Sequence, residues 1–314
     1  MSQQVVLKEI KDGIATLTIN RPKALNALNH DVINQLEAAF DEVVEDDQVQ
    51  AVVLRGSGDR AFVAGADLKF FVENVKAGTT KKIVEFTAQG HDLFRRMETS
   101  PKLTIAVVDG LSLGGGSEIA LAQQAIIATE KGSFGFPESG LGIYPGYGGL
   151  LRTNKHIGPA LTKYYGLTGQ TISAEEAYEL GIVQKLVKAE EIDQAIKDLV
   201  EAGAPDKYAE RTLPEKYQAI QKAFDSDHIQ ATLKGQATDG LDEEFAAKVA
   251  KKIGYKSPHS VEMIQKIVDQ QTDQSIDEGI RTELDYLEPM FRHPEADLGL
   301  SAAVNGERPD FSKV

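Results

Sequence analysis

The sequence contains no cysteine and no tryptophan, and its apolar stretches are short. Without cysteine the chain can form no disulfide, zinc–thiolate centre or iron–sulfur cluster, and it has no thiol nucleophile. The longest apolar stretches, such as residues 105–108 and 125–128, are far too short to cross a bilayer. The first residues show no basic start followed by an apolar run, so we expect no signal peptide. These absences predict a cytoplasmic protein with no membrane partner.

Positive charge is also scarce. The 314 residues include 34 Lys and Arg against 48 Asp and Glu, which gives a net charge of −14. An acidic surface repels nucleic acids and anionic membranes over long distances, so we expect no nucleic-acid partner. The same surface would repel an anionic small molecule. Any such ligand would therefore have to be held by local hydrogen-bond donors.

The hydrophobic pattern of the first 190 residues alternates between strands and helices, which is typical of an α/β core. A hairpin is expected where Asp12-Gly13 joins two β-rich runs, because Asp-Gly suits a tight turn. Ser173 and Glu176 have the spacing of a capping box at the start of a helix. The predicted strands are Val5–Ile10, Ile14–Asn20, Ala51–Leu54, Thr104–Val108, Ala125–Thr129 and Gln184–Val187, and the other predicted helices are 31–45, 83–97 and Glu118–Gln124.

Beyond residue 190 the sequence is mostly helical. Ser257-Pro258 and the Ser275/Glu278 pair are helix starts, the second ahead of apolar residues at helical spacing, namely Ile276, Ile280, Leu284 and Leu287. Residues 201–256, with Ala204-Pro205, Leu213-Pro214 and Thr238-Asp239-Gly240, have the pattern of an insertion of helices and polar loops. We therefore predict an α/β core over 1–195 that carries the active site, and a helical carboxyl-terminal region over 196–314.

Metal and nucleotide sites are poorly supported. The six histidines are scattered, and none lies three or four residues from another, which is the usual spacing of paired ligands on a helix. The chain has no phosphate loop of the GxxxxGK type. The glycines of Gly146-Tyr147-Gly148-Gly149 lack the strand, spacing and later acid of a dinucleotide fingerprint. We therefore expect no metal and no separate cofactor.

One hydrolase motif matches the sequence. Residues 110–114 read G-x-S-x-G after a predicted strand, which would make Ser112 an attacking nucleophile. A nucleophile elbow, however, needs a helix directly after its serine, and here two more glycines and Ser117 intervene. Short patterns of this kind also arise by chance in glycine-rich chains, so we do not favour this interpretation.

A stronger pattern consists of three glycine-rich or small-residue turns, at 62–68, 114–118 and 134–149. Such strand-to-helix junctions expose backbone N–H groups and let a ligand approach the main chain closely. Two junctions can direct two N–H donors at one oxygen, forming an oxyanion hole in which each donor contributes about 3–4 kcal/mol to transition-state stabilisation.

Two carboxylates, Glu118 and Glu138, follow these turns at short range. Apolar surroundings raise the pKa of a glutamate, which prepares it for proton transfer near neutral pH. Each feature alone has a plainer explanation: Glu118 as a first-turn acid, Glu138 as a solvated loop residue, the glycines as ordinary turns. Their order and spacing together favour a catalytic interpretation.

The order of these motifs resembles the enoyl-CoA hydratase/isomerase (crotonase) family. The resemblance begins with residues 20–28 (NRPKALNAL) and continues through AGADL at 64–68, GGGSE at 114–118 and FPESGLGIYPGYGG at 136–149. It extends through 167–183 and from 278 to 311, and so covers about 1–190 and 257–314. It implies a spiral of ββα units, and a helical carboxyl-terminal region that builds a homotrimer or a hexamer of two trimers.

The resemblance also implies an acyl-CoA thioester as substrate, with coenzyme A as part of the substrate rather than a cofactor. The N–H groups of Ala66 and Gly115 would bind the thioester oxygen, while Glu118 and Glu138 would position and activate a water. Glu138 would exchange the proton at Cα. The implied coenzyme A contacts are Lys23, Ala24, Leu25, Ala64, Asp67, Leu68 and Lys69, and the implied acyl pocket is Phe71, Tyr144, Gly146 and Tyr147.

Several activities remain open within this family. The insertion at 201–256 resembles the longer helical region of 3-hydroxyisobutyryl-CoA hydrolases, which favours thioester hydrolysis. Ala66 and Gly146, by contrast, match the hydratase pattern, and retention of both glutamates favours water addition over double-bond migration. A non-catalytic subunit that binds coenzyme A is the alternative from a different class. We therefore expect an enoyl-CoA hydratase, with a hydrolase or isomerase as the alternative enzymes.

Overall fold

The computed structural model describes residues 4–209, 211–237 and 242–314. Their contacts divide the chain into two compact units. The first consists of Met1–Asp67, Phe86–Phe134 and Ile172–Ala209, and the second of Leu68–Glu85, Gly135–Thr171 and Glu210–Val314. The boundary expected at residue 195 is a different division of the chain, and it stays a prediction.

Strands are concentrated in the first unit. In chain order, β1 to β10 are Val6–Lys11, Ile14–Ile19, Ala51–Gly56, Ala61–Ala64, Leu103–Val108, Leu111–Leu113, Ala125–Ala128, Ser133–Gly135, Ile172–Ser173 and Lys185–Leu186. Among the described residues six of them form one sheet in the order β1-β2-β3-β5-β7-β10, and four form another in the order β4-β6-β8-β9. The hairpin β1–β2 is antiparallel, and Asp12 and Gly13 both have positive φ, as a tight turn of the expected kind requires.

The central strands β3, β5 and β7 pair in parallel and are almost entirely buried. Parallel strands need a covered face, because their crossover connections place helices over the sheet. One such cover is the helix at Ile192–Ala202, whose apolar side packs on this sheet. The run of β-branched and small residues in these strands therefore reflects their burial in the protein core.

Helices, numbered α1 to α13 in chain order, occur in both units and are most numerous in the second. Three predicted caps are present: Ser173, Ser257 and Ser275 each accept a hydrogen bond from a backbone N–H in the first turn of the helix that follows. The helices are His30–Glu45, Leu68–Lys76, Lys81–Glu98, Gly115–Leu121, Gly149–Thr168, Ala174–Glu179, Ile192–Ala202, Glu215–Ala223, Ile229–Leu233, Glu243–Ile253, Pro258–Gln271, Ile276–Arg292 and Pro294–Val304.

One predicted helix begins earlier in the structure, and the buried side of another includes residues outside its predicted apolar pattern. Helix α4 begins at Gly115, three residues before the expected start at Glu118, because Gly114 adopts φ +50° and turns the chain directly into the helix. In α12 the buried side is formed by Gly279, Glu283, Leu287, Met290 and Phe291, whereas Ile276, Ile280 and Leu284 are only half-buried. The buried glutamate disguises this side in the sequence.

The predicted insertion contains helices α8, α9 and α10, as expected. The turn expected at Thr238-Asp239-Gly240 lies outside the described residues. No helix among the described residues is long and apolar enough to span a bilayer.

Asn26 secures the loop that precedes α1. It is 1% exposed and adopts φ +59°, a conformation that asparagine tolerates better than most residues. Its amide Nδ2 donates to the carbonyl oxygens of Ser57 and Ala61, both at 2.9 Å, and its Oδ1 accepts from the Arg21 N–H at 3.0 Å. One side chain thus ties the loop to the ends of β3 and β4.

We predict that Asn26→Ala lowers the free energy of unfolding by about 3 kcal/mol, because it leaves buried carbonyl groups without donors. The matched control is Asn29→Ala, which removes only the α1 cap at Val32 N and should cost about 1 kcal/mol. Urea unfolding followed by circular dichroism measures both. Equal losses for the two variants would contradict the anchoring role of Asn26.

Candidate active site

The first predicted turn, at the end of β4, is held by the loop at 25–28. The N–H of Ala64 donates to Leu25 O at 2.9 Å, that of Leu28 to Gly65 O at 2.9 Å, and that of Asp67 to Leu28 O at 2.8 Å. Leu28 and Ala66 therefore form a parallel bridge. In such a bridge the N–H of Ala66 points away from Leu28, which leaves it directed at the other side of the turn.

The second turn joins β6 to α4 and lies against the first. A Cβ built on Gly115 would lie 3.7 Å from the Ala66 nitrogen and 3.2 Å from Leu28 Cδ1. A Cβ built on Gly116 would lie only 1.8 Å from Val63 O, so glycine is required for this close approach of two main chains. The structure thus brings together the two predicted N–H donors, Ala66 and Gly115.

This geometry can serve an oxygen that gains negative charge. Gly115 is the first residue of α4, so its N–H has no acceptor within the helix. The Ala66 nitrogen lies 3.7 Å from the position that a Cβ would take on Gly115. Two preorganised backbone donors next to each other are the arrangement that stabilises an oxyanion in a transition state.

Glu118 follows Gly115 by three residues within α4 and is 1% exposed. The start of its helix is well anchored. The N–H of Glu118 donates to Gly114 O at 3.0 Å, and Ser117 Oγ donates to Ser112 O at 2.6 Å. The carboxyl group is therefore carried by a rigid, fully buried helix in the same unit as the two N–H donors.

The nucleophile elbow is not present. Ser112 lies inside strand β6 and is fully buried, and α4 begins three residues later. An elbow would expose its serine at the turn between strand and helix. The expectation that Ser112 is not a nucleophile agrees with this geometry.

The predicted coenzyme A contacts fall in both units. Lys23 and Ala24 are exposed on a short 3-10 turn, and Leu25, which follows with φ +51°, bonds to Ala64 as described above. Asp67 forms an ion pair with Arg21 at 3.2 Å, which ties the start of the loop to the turn after β4. In the second unit, Leu68 is the first residue of α2 and Lys69 is exposed on it.

Glu138 lies in the second unit, in a 3-10 helix at Pro137–Leu141, and is 7% exposed. Its carbonyl oxygen accepts from Ile143 N at 3.3 Å, and the neighbouring Ser139 O accepts from Ser257 N at 2.9 Å. Ser139 Oγ donates to Leu167 O at 3.3 Å. The turn that carries Glu138 is therefore held by α5 and by the start of α11.

Lys256, at the end of the insertion, also borders this turn. Its Nζ lies 2.9 Å and 3.4 Å from the positions that a Cβ would take on Gly169 and Gly140. Burial lowers the pKa of Lys256, as do the charges of Lys252 and Arg308, while the negative charge of Glu138 acts in the opposite direction. An ammonium group near Glu138 was not foreseen, since nothing in the motif order marks a lysine so far along the chain.

The predicted acyl-pocket residues also lie in the second unit. Phe71, Tyr144 and Tyr147 are each at most 5% exposed, and Gly146 is half-buried. Glu283, fully buried on α12, accepts a hydrogen bond from Gly148 N at 2.7 Å through its Oε2. The sequence did not reveal this glutamate, because a charged residue on a helix normally indicates contact with solvent.

Metal ligation finds no support in the described part of the chain, which contains no group of three or more His, Asp or Glu side chains placed to hold an ion. The expectation of no cofactor stays a prediction.

The sequence is similar to the sequences of two named enzymes. The chain is 40% identical over 199 residues to a crotonyl-CoA hydratase of Syntrophomonas wolfei, which is 63% of this chain and 75% of that protein. It is 29% identical over 300 residues to a mitochondrial 3-hydroxyisobutyryl-CoA hydrolase of Danio rerio, which is 89% of this chain and 75% of that protein.

The fold of the chain is also similar to that of a solved structure. A crystal structure of a carnitinyl-CoA dehydratase from Mycobacterium thermoresistibile superposes with a TM-score of 0.84, covering 99% of this chain and 94% of that one at 23% identity. The predicted α/β fold with a helical carboxyl-terminal region is confirmed. The sequence profile of the enoyl-CoA hydratase/isomerase family matches residues 14–312. The chain belongs to the enoyl-CoA hydratase/isomerase family.

Proposed function

We propose that this protein is an enoyl-CoA hydratase, which adds water across the 2,3-double bond of an enoyl-CoA thioester. The observation that carries the proposal is the pairing of the Ala66 and Gly115 turns in the first unit. The likeness to a crotonyl-CoA hydratase supports the same activity. Ala66, Gly146 and Glu118, which match the hydratase pattern in the sequence, support it further.

The thioester oxygen is the proposed ligand of the two N–H groups. When water attacks C3 of the enoyl group, electron density moves through C2 to the thioester, and its oxygen gains the negative charge of an enolate. Donors already in place stabilise this charge without reorganisation, and each contributes about 3–4 kcal/mol. Because the charge develops only during the reaction, these donors favour the transition state over bound substrate.

Proton transfer is assigned to the two glutamates. Glu118 orients the water and accepts a proton as the oxygen bonds to C3, and Glu138 delivers a proton to C2. The net change is the addition of one hydroxyl and one hydrogen, and the two carboxyl groups exchange protons with solvent to return to their starting states. The role of Glu138 rests on its position in the family motif.

Coenzyme A is proposed to contact the loop around Lys23 and the turn that continues into α2. Lys23 and Lys69 would offset the acidic character of the chain, whose net charge of −14 otherwise opposes an anionic ligand. The remaining proposed contacts are Ala24, Leu25, Ala64, Asp67 and Leu68. The proposed assembly is a homotrimer or a hexamer of two trimers, and the proposed compartment is the cytoplasm.

Thioester hydrolysis is a second candidate, favoured by one observation. The 3-hydroxyisobutyryl-CoA hydrolase relative aligns with 89% of the chain, whereas the crotonyl-CoA hydratase relative aligns with 63%. The longer alignment agrees with the resemblance already noted for the insertion at 201–256. The hydratase proposal nevertheless accounts for Glu118, Ala66 and Gly146, so we place it first.

Incubation of the purified protein with a panel of enoyl-CoA and 3-hydroxyacyl-CoA esters, including 3-hydroxyisobutyryl-CoA, distinguishes the two activities. We expect crotonyl-CoA to gain the mass of one water with its thioester intact, as detected by mass spectrometry. Free coenzyme A, assayed in parallel with a thiol reagent, should not rise above a protein-free control. Release of coenzyme A without hydration would overturn the hydratase proposal and establish the hydrolase.

Gly115→Ala tests the oxyanion hole directly. Its methyl group would lie 3.7 Å from the Ala66 nitrogen, in the space proposed for the thioester oxygen, while the contact at Leu28 Cδ1 can be relieved by a side-chain movement. We expect a folded protein whose kcat for hydration falls by about 10²–10³.

The neighbouring substitution Gly116→Ala is the matched control for that experiment. Its methyl group would lie 1.8 Å from a backbone oxygen, so we expect loss of folded protein rather than loss of chemistry alone. Circular dichroism and hydration kinetics separate the two effects. Wild-type kcat in folded Gly115→Ala would remove the oxyanion assignment.

Glu118→Gln and Glu138→Gln test proton transfer. Each should lower kcat by about 10²–10⁴, because an amide of the same shape cannot accept or deliver the proton. Glu130→Gln, at an exposed turn after β7, is the control and should keep wild-type kinetics. Unchanged turnover in both glutamine variants would contradict the assignment of proton transfer to Glu118 and Glu138. A wild-type protein that hydrates no ester but binds a saturated acyl-CoA, as measured by calorimetry, would instead support a subunit that only binds coenzyme A.

A further inference from the structure

One side of helix α12 contacts the residues that sequence analysis places in the acyl pocket. Glu283, Leu287 and Phe291 are spaced four residues apart, so they lie in one row along the helix. All three are at most 4% exposed. Each faces a different part of the predicted pocket, and the whole arrangement lies within the second unit.

Glu283 fixes the loop between the Glu138 turn and α5. Its backbone oxygen accepts from Tyr144 Oη at 2.6 Å, and its Oε2 accepts from Gly148 N at 2.7 Å. Its Oε1 accepts from Gln271 Nε2 at 2.9 Å. A buried carboxylate with several donors holds its partners in one geometry. The loop from Tyr144 to Gly148 is therefore positioned relative to α12 with little freedom.

Leu287, one turn further along, faces Gly146 at the centre of that loop. A Cβ built on Gly146 would lie 3.1 Å from Leu287 Cδ1, closer than ordinary van der Waals contact. The leucine side chain thus occupies the space that the missing side chain of residue 146 leaves. The two positions share one volume, so a larger side chain at either position requires a smaller side chain at the other.

Phe291 completes the row by packing against Phe71. Their ring centroids are 5.2 Å apart with an interplanar angle of 37°. Phe71 lies on α2, so this contact joins α12 to a second wall of the predicted pocket. The row from Glu283 to Phe291 therefore contacts Tyr144, Gly146 and Phe71, three of the four residues implied by the family resemblance.

We propose that Leu287 is a specificity-determining residue that limits the length of the acyl chain of the proposed enoyl-CoA substrate. The inference rests on the proposed function and on the assignment of the acyl pocket. Glu283 and Phe291 hold the loop and α2 in place on either side, so a change at Leu287 alters the available volume without releasing the walls. Leu287 acts on substrate choice and takes no part in proton transfer.

The test compares kcat/KM for the trans-2-enoyl-CoA esters of four, six and eight carbons. Leu287→Ala should raise the ratio of six-carbon to four-carbon kcat/KM at least about ten-fold, since a single methylene group in an apolar pocket is worth about 10- to 200-fold. The ratio is measured on one preparation, so partial loss of folded protein cancels. The milder Leu287→Val should shift the ratio in the same direction by less.

Two further variants separate specificity from general packing. Gly146→Ala combined with Leu287→Ala places a methyl group in the shared space that the shorter residue 287 leaves empty. The double variant should therefore recover much of the preference for the four-carbon ester. Leu284→Ala removes the same side chain from a half-buried position of the same helix and should leave the ratio unchanged. An unchanged ratio in Leu287→Ala, or an equal shift in Leu284→Ala, would overturn the proposal.

Failure of the proposed function has a separate signature. If the wild-type protein hydrates none of the esters, the hydratase proposal fails. The role of Leu287 is then measured by calorimetry with the saturated four-, six- and eight-carbon acyl-CoA esters, which undergo no hydration. Tighter binding of the longer esters to Leu287→Ala, relative to wild type, would support the volume limit, and identical affinity ratios would refute it.

Discussion

The close approach of two main chains at Gly116 and Val63 is the constraint on which the proposed chemistry depends. No Cβ fits between them, so the junction of β6 and α4 can lie directly against the turn after β4. That contact brings Gly115 close to Ala66, whose nitrogen lies 3.7 Å from the position that a Cβ would take on Gly115. The donors belong to the backbone, and their positions are therefore set by the paired strands β4 and β6 rather than by side-chain rotamers.

In the proposed mechanism, the first unit supplies the backbone donors that stabilise charge, and the second unit supplies the side chains that hold the acyl-chain loop. In the first unit, hydrogen bonds among residues 25–28 and 64–67 fix backbone groups, so the site for charge development is rigid. In the second unit, side chains on α12 hold the loop that is assigned to the acyl chain. Substitutions on α12 can thus alter the choice of substrate while the donors of the first unit keep their geometry. In the proposed mechanism, stabilisation of charge and choice of substrate therefore depend on different residues.

Much of the fold was predictable because the relevant signals are local. Asp12-Gly13 marked the hairpin, and Ser173, Ser257 and Ser275 marked helix starts, since turn and cap preferences depend on a few adjacent residues. Helix α5 was missed because Gly158 and Pro159 interrupt its periodic pattern with a kink. The buried position of Glu283 on α12 could not be predicted, because a charged residue indicates solvent unless its partners, which lie far along the chain, are known.

In the candidate site, too, some structural requirements are visible in the sequence and others are not. The glycine runs indicate where the backbone must come close, and that requirement is visible in the sequence because only glycine satisfies it. The contact between Gly146 and Leu287 is different, since these residues lie 141 positions apart in the sequence and either could be replaced if the other compensated. Two distant residues that share a volume therefore leave no recognisable motif in the sequence. If Leu287 has its proposed role, substrate size is a property of pairs of positions in the folded chain, and it can change by coordinated substitution while the glycine-rich motifs remain intact.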